Sequence, residues 1–381
     1  MLAKNPTAQR FIRLFSALIL TAGCLSSLTA QDATREVDGR EEAFDAGKMI
    51  MHHIADAHEI HLIGDLVVYL PVIVYSEKGL DIFSSKRLYK GDKRHFEHTA
   101  PDGKVSREHY YRYADYAMYH EHIYLADADG SISFDPESGE VLNTAVMDFS
   151  ITKSVFGIFL TCGLLLYLFI TSARGYKKRK GQAPKGVQSF MEPLILFIRD
   201  EVAVPSIGAH KADRFMPFLL TVFFFIWIAN MLGLIPFIGG FNVTGTLSVT
   251  LVLAAIVFII TTVNGNKHYW GHLFWPPGVP LPIKFILVPI EVLGIFIKPT
   301  VLMIRLTANI TAGHIIILSF VSLVLIFSEA GVGAEIGVGI GSTLFMIFMF
   351  FIELLVAFLQ AYVFTLLAAL YFGDATQEAH H

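Results

Sequence analysis

Between residues 32 and 148 polar residues dominate, and apolar ones come in short runs such as 66–75 and 132–134, set off by Lys78-Gly79, Asp102-Gly103 and Asp129-Gly130. Short apolar runs between glycine turns predict strands and hairpins. Beyond Asp148 the texture changes. Residues 155–171, 215–238, 246–263, 284–327 and 336–372 are apolar almost throughout, and about 20 such residues cross a bilayer as a helix. Residues 188–202 are too charged to cross but amphipathic, which predicts a helix lying at the membrane surface. The predicted fold is an all-α polytopic membrane protein over 151–373, with about five membrane-embedded helices and one interfacial helix. A small mixed α/β extracytoplasmic domain over 31–150 precedes it, and 374–381 form a tail.

Basic residues at the segment ends assign sidedness. Arg174, Lys177, Lys178, Arg179, Lys180 and Lys185 put the far end of the first span in the cytoplasm, Lys211 and Arg214 precede the second, and Lys267 follows the third. The stretch 264–282, with Trp270, Trp275 and four prolines, reads as an interfacial loop. The last two apolar segments far exceed the hydrocarbon thickness, so they tilt or bend, with Pro289 and Pro299 as bending points. Gly331, Gly333, Gly337, Gly339 and Gly341 surround the turn between them, as a loop or as small residues at close helix contacts.

At the N-terminus, Lys4, Arg10 and Arg13 precede an apolar stretch over 14–22, the pattern of a signal peptide over 1–30 cleaved near Ala30. Lipid attachment at Cys24 and an uncleaved anchor are the alternatives. Of the 381 residues 54% are hydrophobic and 16% charged, which places the chain among polytopic membrane proteins and far from an ordinary soluble enzyme. The net charge of -4 conceals an asymmetry: 31–150 hold 23 of the 33 acidic residues, whereas 151–381 hold 10 acidic and 14 basic ones. Cys24 and Cys162 are the two cysteines and support neither a disulfide framework nor a cysteine metal site.

Against this apolar background Arg305 stands out, because a guanidinium in mid-membrane costs from about 3 to about 17 kcal/mol and does not lose its proton. Asn309 and His314 share its segment, and Glu353 and Gln360 lie in the next. Glu353 and Gln360, seven residues apart, share one helix face about 10.5 Å apart along the axis. With the two helices antiparallel, placing Arg305 level with Gln360 brings His314 close to the level of Glu353. His314 and Glu353 can pass protons, whereas Arg305 is a fixed cation that attracts a carboxylate and repels free protons. An internal salt bridge between Arg305 and Glu353 is the structural alternative, and a packing role is the alternative for His314.

The run Lys298-Pro-Thr-Val-Leu-Met-Ile-Arg305-Leu-Thr-Ala-Asn309-Ile-Thr-Ala-Gly313-His314 and the run Glu353-Leu-Leu-Val-Ala-Phe-Leu-Gln360-Ala-Tyr-Val-Phe together resemble the signatures of the F-type ATP synthase subunit a family. Phe197-Ile-Arg-Asp-Glu201, Asn230-Met-Leu-Gly-Leu-Ile-Pro236, Asn242-Val-Thr-Gly-Thr-Leu-Ser248 and Pro289-Ile-Glu291 extend the resemblance over 150–373. The resemblance implies a non-catalytic proton-translocating stator subunit of the bacterial inner membrane. Its Arg305 would face the carboxylate of the rotating c-ring, and His314 and Glu353 would line the periplasmic half-channel. Asn309 and Gln360 would support the arginine, and Glu291 would lie near the cytoplasmic half-channel. In some members the Glu and His types are exchanged. The implied partners are the c-ring, the peripheral-stalk subunit b and the other synthase subunits, with no nucleic acid and no cofactor. The leader and the outer domain depart from the compact family pattern.

No phosphate-binding glycine-rich Lys motif occurs, so nucleotide chemistry belongs to partner subunits. An independent secondary transporter would show internal repeats, and none is visible; a mere anchor for the outer domain would tolerate neutral replacements of the intramembrane polar residues. In the outer domain His52, His53, His58 and His61 cluster, but their spacing fits no zinc motif. Metal binding, a proton-collecting surface and ordinary surface histidines all remain open readings. Asp127-Ala-Asp129-Gly130 misplaces the glycine of a calcium loop and predicts a hairpin turn.

Overall fold

The computed structural model describes residues 47, 55–62, 66–99, 105–127, 129–135, 141–235, 240–327 and 332–377. The expected signal peptide, Cys24, His52, His53 and Gly331 lie outside the described residues.

The described residues of the outer unit form antiparallel strands with a helical turn at Lys86–Tyr89, a mixed fold in which sheet predominates. β1 (Glu59–His61) pairs with β2 (Val67–Tyr69). β3 (Pro71–Ser76) pairs with β4 (Gly79–Ser84), and helix α1 (Lys86–Tyr89) follows. β5 (Asp92–Thr99), β6 (Val105–Tyr113), β7 (Tyr116–Tyr119) and β8 (His122–Leu125) form a four-stranded meander. β9 (Met147–Asp148) returns to the free side of β3. The apolar run 66–75 is thus divided between β2 and β3, and 132–134 supplies a single bridge, Phe134 to Val141.

Alternation explains the core. Val72 and Val74 of β3 and Phe83 of β4 point inward onto Leu88, Tyr116, Met118 and Ile123. The β7–β8 turn uses His120 and Glu121, both with positive φ (47° and 65°), the geometry that a two-residue hairpin demands and non-glycine residues resist. That strained turn carries the Glu121 carboxylate to the buried His58.

The membrane unit is helical. α2 (Lys153–Lys178) runs on beyond the apolar stretch into the basic cluster, taking in Arg174, Lys177 and Lys178. α3 (Val187–Phe197) continues as a π-helical segment (Ile198–Ala203) into α4 (Val204–Ile207). α5 (Ala209–Gly233) and α6 (Leu247–Asn264) follow. The proline-rich stretch expected to be an irregular loop contains a helix, α7 (Lys267–Phe274), because the Asn266 side chain caps it by accepting from Tyr269 N–H at 2.8 Å. α8 (Leu281–Phe327) passes through Pro289 and Pro299 without a break, and α9 (Val332–Thr376) closes the unit. Gly337, Gly339 and Gly341 fall inside α9 rather than in a turn, and among the described residues an added Cβ at any of them meets nothing within 4 Å, so they mark no close contact there.

Among the described residues five helices, α2, α5, α6, α8 and α9, are long and apolar enough to cross a membrane. At 1.5 Å per residue the 47 residues of α8 extend about 70 Å, more than twice the hydrocarbon thickness. The best-buried helix is α5. Its Phe215 stacks on Phe372 at 4.9 Å, and its Phe223 and Trp227 meet Phe358 edge-on. The buried amide of Asn230 ties three segments together: Nδ2 donates to the Ala357 carbonyl at 3.2 Å, and Oδ1 accepts from Thr244 Oγ1 at 2.5 Å.

Candidate proton-transfer site

Two long antiparallel helices carry the polar residues, and their register is read from three contacts. Phe320 stacks on Phe345 at 4.1 Å, a Cβ added at Gly313 would strike the Glu353 carboxylate, and Lys298 Nζ lies 5.3 Å from the centre of the Tyr371 ring. Moving eight residues from Gly313 back to Arg305 corresponds to moving from Glu353 on to Ala361, so Arg305 comes level with Gln360 and Ala361. The level matching drawn from spacing therefore describes this pair of helices.

Glu353 is 9% exposed, and among the described residues neither carboxylate oxygen has a hydrogen-bond partner. It packs against Gly313, where an added Cβ would meet its carboxylate. His314, the next residue, is half-buried, with Nε2 3.7 Å from where a Cβ on Gly233 would sit. Glycine at 313 thus leaves room for the Glu353 carboxylate, while at Gly233 it is the Phe241 carbonyl, 2.8 Å from an added Cβ, that requires glycine.

Arg305 differs in kind. It is exposed on α8, as is Asn309 one turn further on. Among the described residues Arg305 forms no ion pair, and the salt bridge to Glu353 is not made; the two residues sit about 12 Å apart in level along the helices. Its guanidinium lies within electrostatic reach of the Tyr371 hydroxyl. Gln360 is buried, 7% exposed, and does not hydrogen-bond to Arg305. A permanent cation on the outside of a subunit at membrane depth requires a partner from elsewhere, because lipid supplies none.

Glu291, on the N-terminal half of α8, is half-buried, and its Oε2 lies 3.9 Å from His272 Nδ1 of α7. His272 was missed in the sequence because 264–282 reads as loop. Its signal was available: His268 and His272 are four apart, one helical turn, and their rings lie 6.4 Å apart. Nearby, Val257, Thr261, Tyr269, Lys298, Tyr371 and Asp374 are among the residues lining a cavity of about 30 Å³, room for about one water.

A family model described as ATP synthase A chain matches residues 155–373. The chain belongs to that family. Its members form the proton-translocating membrane-sector subunit of ATP synthase, which is itself non-catalytic. ATP synthase subunit a 2 of Chlorobaculum tepidum is 45% identical over 258 residues, covering 65% of this chain and 70% of that protein. ATP synthase subunit a of Chloroherpeton thalassium is 41% identical over 238 residues, 61% of this chain and 69% of that one. ATP synthase subunit a of Chlorobium phaeobacteroides (strain DSM 266) is 38% identical over 291 residues, 74% of this chain and 81% of that one. Residues 49–149 match a separate description, a domain of unknown function (DUF8433).

Within that outer domain the histidines part company. His61 is exposed and 2.9 Å from Glu59. His58 is not the surface histidine that its polar neighbourhood implies: it is 1% exposed, with Nε2 3.3 Å from Asp148 and Nδ1 3.6 Å from Glu121. Burial opposes a charge there, but the hydrogen bond to Asp148 and the two flanking carboxylates outweigh it and raise the pKa to about 9. Asp148 is correspondingly held below the usual carboxylate range, since the bonds to His58 and Ser150 overcome its own burial. The arrangement is an ion-pair clamp. Asp129 accepts from the N–H and hydroxyl of Ser131, closing the expected turn around Gly130.

Proposed function

We propose that this subunit carries protons between the two sides of a bacterial inner membrane by way of a carboxylate on the rotating c-ring. Protons enter from the periplasm past His314 and Glu353, load the ring, and leave on the cytoplasmic side past Glu291 as Arg305 displaces them. Arg305 holds the two access paths apart, and Asn309 and Gln360 support the region around it. Subunit b and the remaining synthase subunits hold the chain still while the ring turns. The outer domain lies in the periplasm and the C-terminus in the cytoplasm, in keeping with the basic clusters after the first span and before the second.

The observation that carries this reading is the separation of roles along two helices. A buried carboxylate with no hydrogen-bond partner among the described residues stands about level with a half-buried histidine, and an exposed cation with no ion pair among those residues stands about 12 Å away in level. Each unit charge that crosses 100 mV supplies about 2.3 kcal/mol to the rotor.

Exchange of the pair tests it. The double variant His314→Glu with Glu353→His keeps both groups in the same space and is expected to pump measurably in inverted vesicles, while Glu353→Ala alone abolishes pumping. Equal loss in the exchange and in Glu353→Ala would remove the pair from the path.

A further inference from the structure

The three-stranded sheet of the outer unit is apolar on the side turned away from its core. Residues opposite one another in an antiparallel pair share a face, so Leu80, Tyr75 and Met147 form one row across the sheet, and Ile82, Ile73 and Phe149 form the next. Leu80, Ile82, Met147 and Phe149 are 60–65% exposed. The carboxylates of the same strands turn the other way: Asp81 accepts from Tyr116 Oη at 2.5 Å and Asp148 bonds to His58. A sheet made to face water is patterned in reverse, with charge outside.

The chain path limits what can cover this face. Phe149 N–H donates to the Ile73 carbonyl at 2.8 Å, Ile151 N–H to Pro71 at 3.1 Å, and Lys153 N–H to Ala57 at 2.9 Å. Ser154 N–H donates to Asp56 Oδ1 at 2.8 Å. Sheet pairing therefore continues to within two residues of Lys153, the first residue of a membrane-length helix, with no free linker between. The four residues from Phe149 to Lys153 reach at most about 14 Å, against a headgroup layer of roughly 5–8 Å per leaflet. Phe149 is thus held by the chain within about 14 Å of the first residue of a membrane-length helix.

We propose that this face rests on lipid, with Phe149, Ile73 and Ile82 at the boundary between headgroups and acyl chains. The six side chains offer a single hydrogen-bonding group, the Tyr75 hydroxyl. A protein partner calls for a polar rim of matched hydrogen bonds, whereas the lipid boundary accepts apolar surface without them. Tyr75 stands in the row further from the helix, where an amphipathic ring fits the headgroup level. The outer domain then binds lipid through this sheet face, a role beyond proton transfer.

The test uses the assembled complex reconstituted in phosphatidylethanolamine–phosphatidylglycerol vesicles, with Cys24 and Cys162 replaced by Ser. A bimane fluorophore is attached at Ile82→Cys or, as a control away from this face, at Lys90→Cys, and shallow nitroxide lipids are added. The proposal predicts several-fold stronger quenching at Ile82 than at Lys90, and loss of that difference when Leu80 and Phe149 are both changed to Asp, with ATP-driven pumping retained. Equal quenching at the two positions would overturn it, as would crosslinking from Ile82 to another synthase subunit without lipid quenching.

Discussion

Changing Gly313 to Ala places one methyl group where the Glu353 carboxylate now stands. The added Cβ would lie 3.0 Å from Glu353 Cδ and 3.5 Å from Cγ, and closer still to Oε1. The backbone need not move, because the obstacle is the end of a flexible side chain; the carboxylate retreats by about 1 Å instead. Stability changes little: crowding costs about 1–3 kcal/mol, and Ala regains about 1 kcal/mol of helix preference over Gly. Transport is affected more, since a displacement of about 1 Å at a reacting group can lower a rate by up to about 100-fold. Gly313→Ala is therefore expected to assemble normally and to pump about 10–100-fold more slowly. The assay is ATP-driven acidification of inverted vesicles, normalised to subunit content. Gly337→Ala, where an added Cβ meets nothing within 4 Å, is the control and pumps normally. Full pumping by Gly313→Ala would refute the placement of the Glu353 carboxylate at the point of proton transfer.

Two further outcomes concern stability. The folded pKa of His58, about 9, lies above the ordinary 6.5, so its contribution is complete below pH 6.5 and is lost as pH rises through 9. At about 1.36 kcal/mol per unit this is roughly 3 kcal/mol, and hydrogen exchange in peptides covering β9, corrected for the intrinsic rate, should accelerate between pH 7 and pH 10 in the unchanged chain but not in His58→Gln. Asn230→Leu removes the partner of the Thr244 hydroxyl, itself 1% exposed, and should cost about 1–3 kcal/mol, seen as a lower melting temperature of the purified complex.

The helices were the most legible part of the chain, because crossing a bilayer demands long unbroken apolar runs and leaves few alternatives. Helix rise alone gave that His314 falls close to the level of Glu353 once Arg305 is placed level with Gln360, and the short connection gave the antiparallel direction; the placement itself is read from the contacts of Gly313 with Glu353 and of Lys298 with Tyr371. What spacing does not contain is azimuth. That Gln360 turns inward while Arg305 turns outward depends on α5 and its Phe223, Trp227 and Asn230, which pack against α9. Helix α7 was hidden because Trp and Pro around it suggest loop, and its start depends on one cap, Asn266. The burial of His58 was equally invisible: a histidine among polar neighbours looks solvated until the β7–β8 turn, with its unusual positive φ at Glu121, delivers a carboxylate to it.

The central claim is that Arg305 separates two access paths. Proton flux through inverted vesicles that carry the whole complex tests it most directly, with Arg305→Ala compared with the unchanged chain, first as ATP-driven pumping and then as passive leak after removal of the catalytic head. Loss of pumping with intact assembly and an increased leak is the predicted result. Normal pumping by Arg305→Ala would contradict the account and leave the arginine a structural cation.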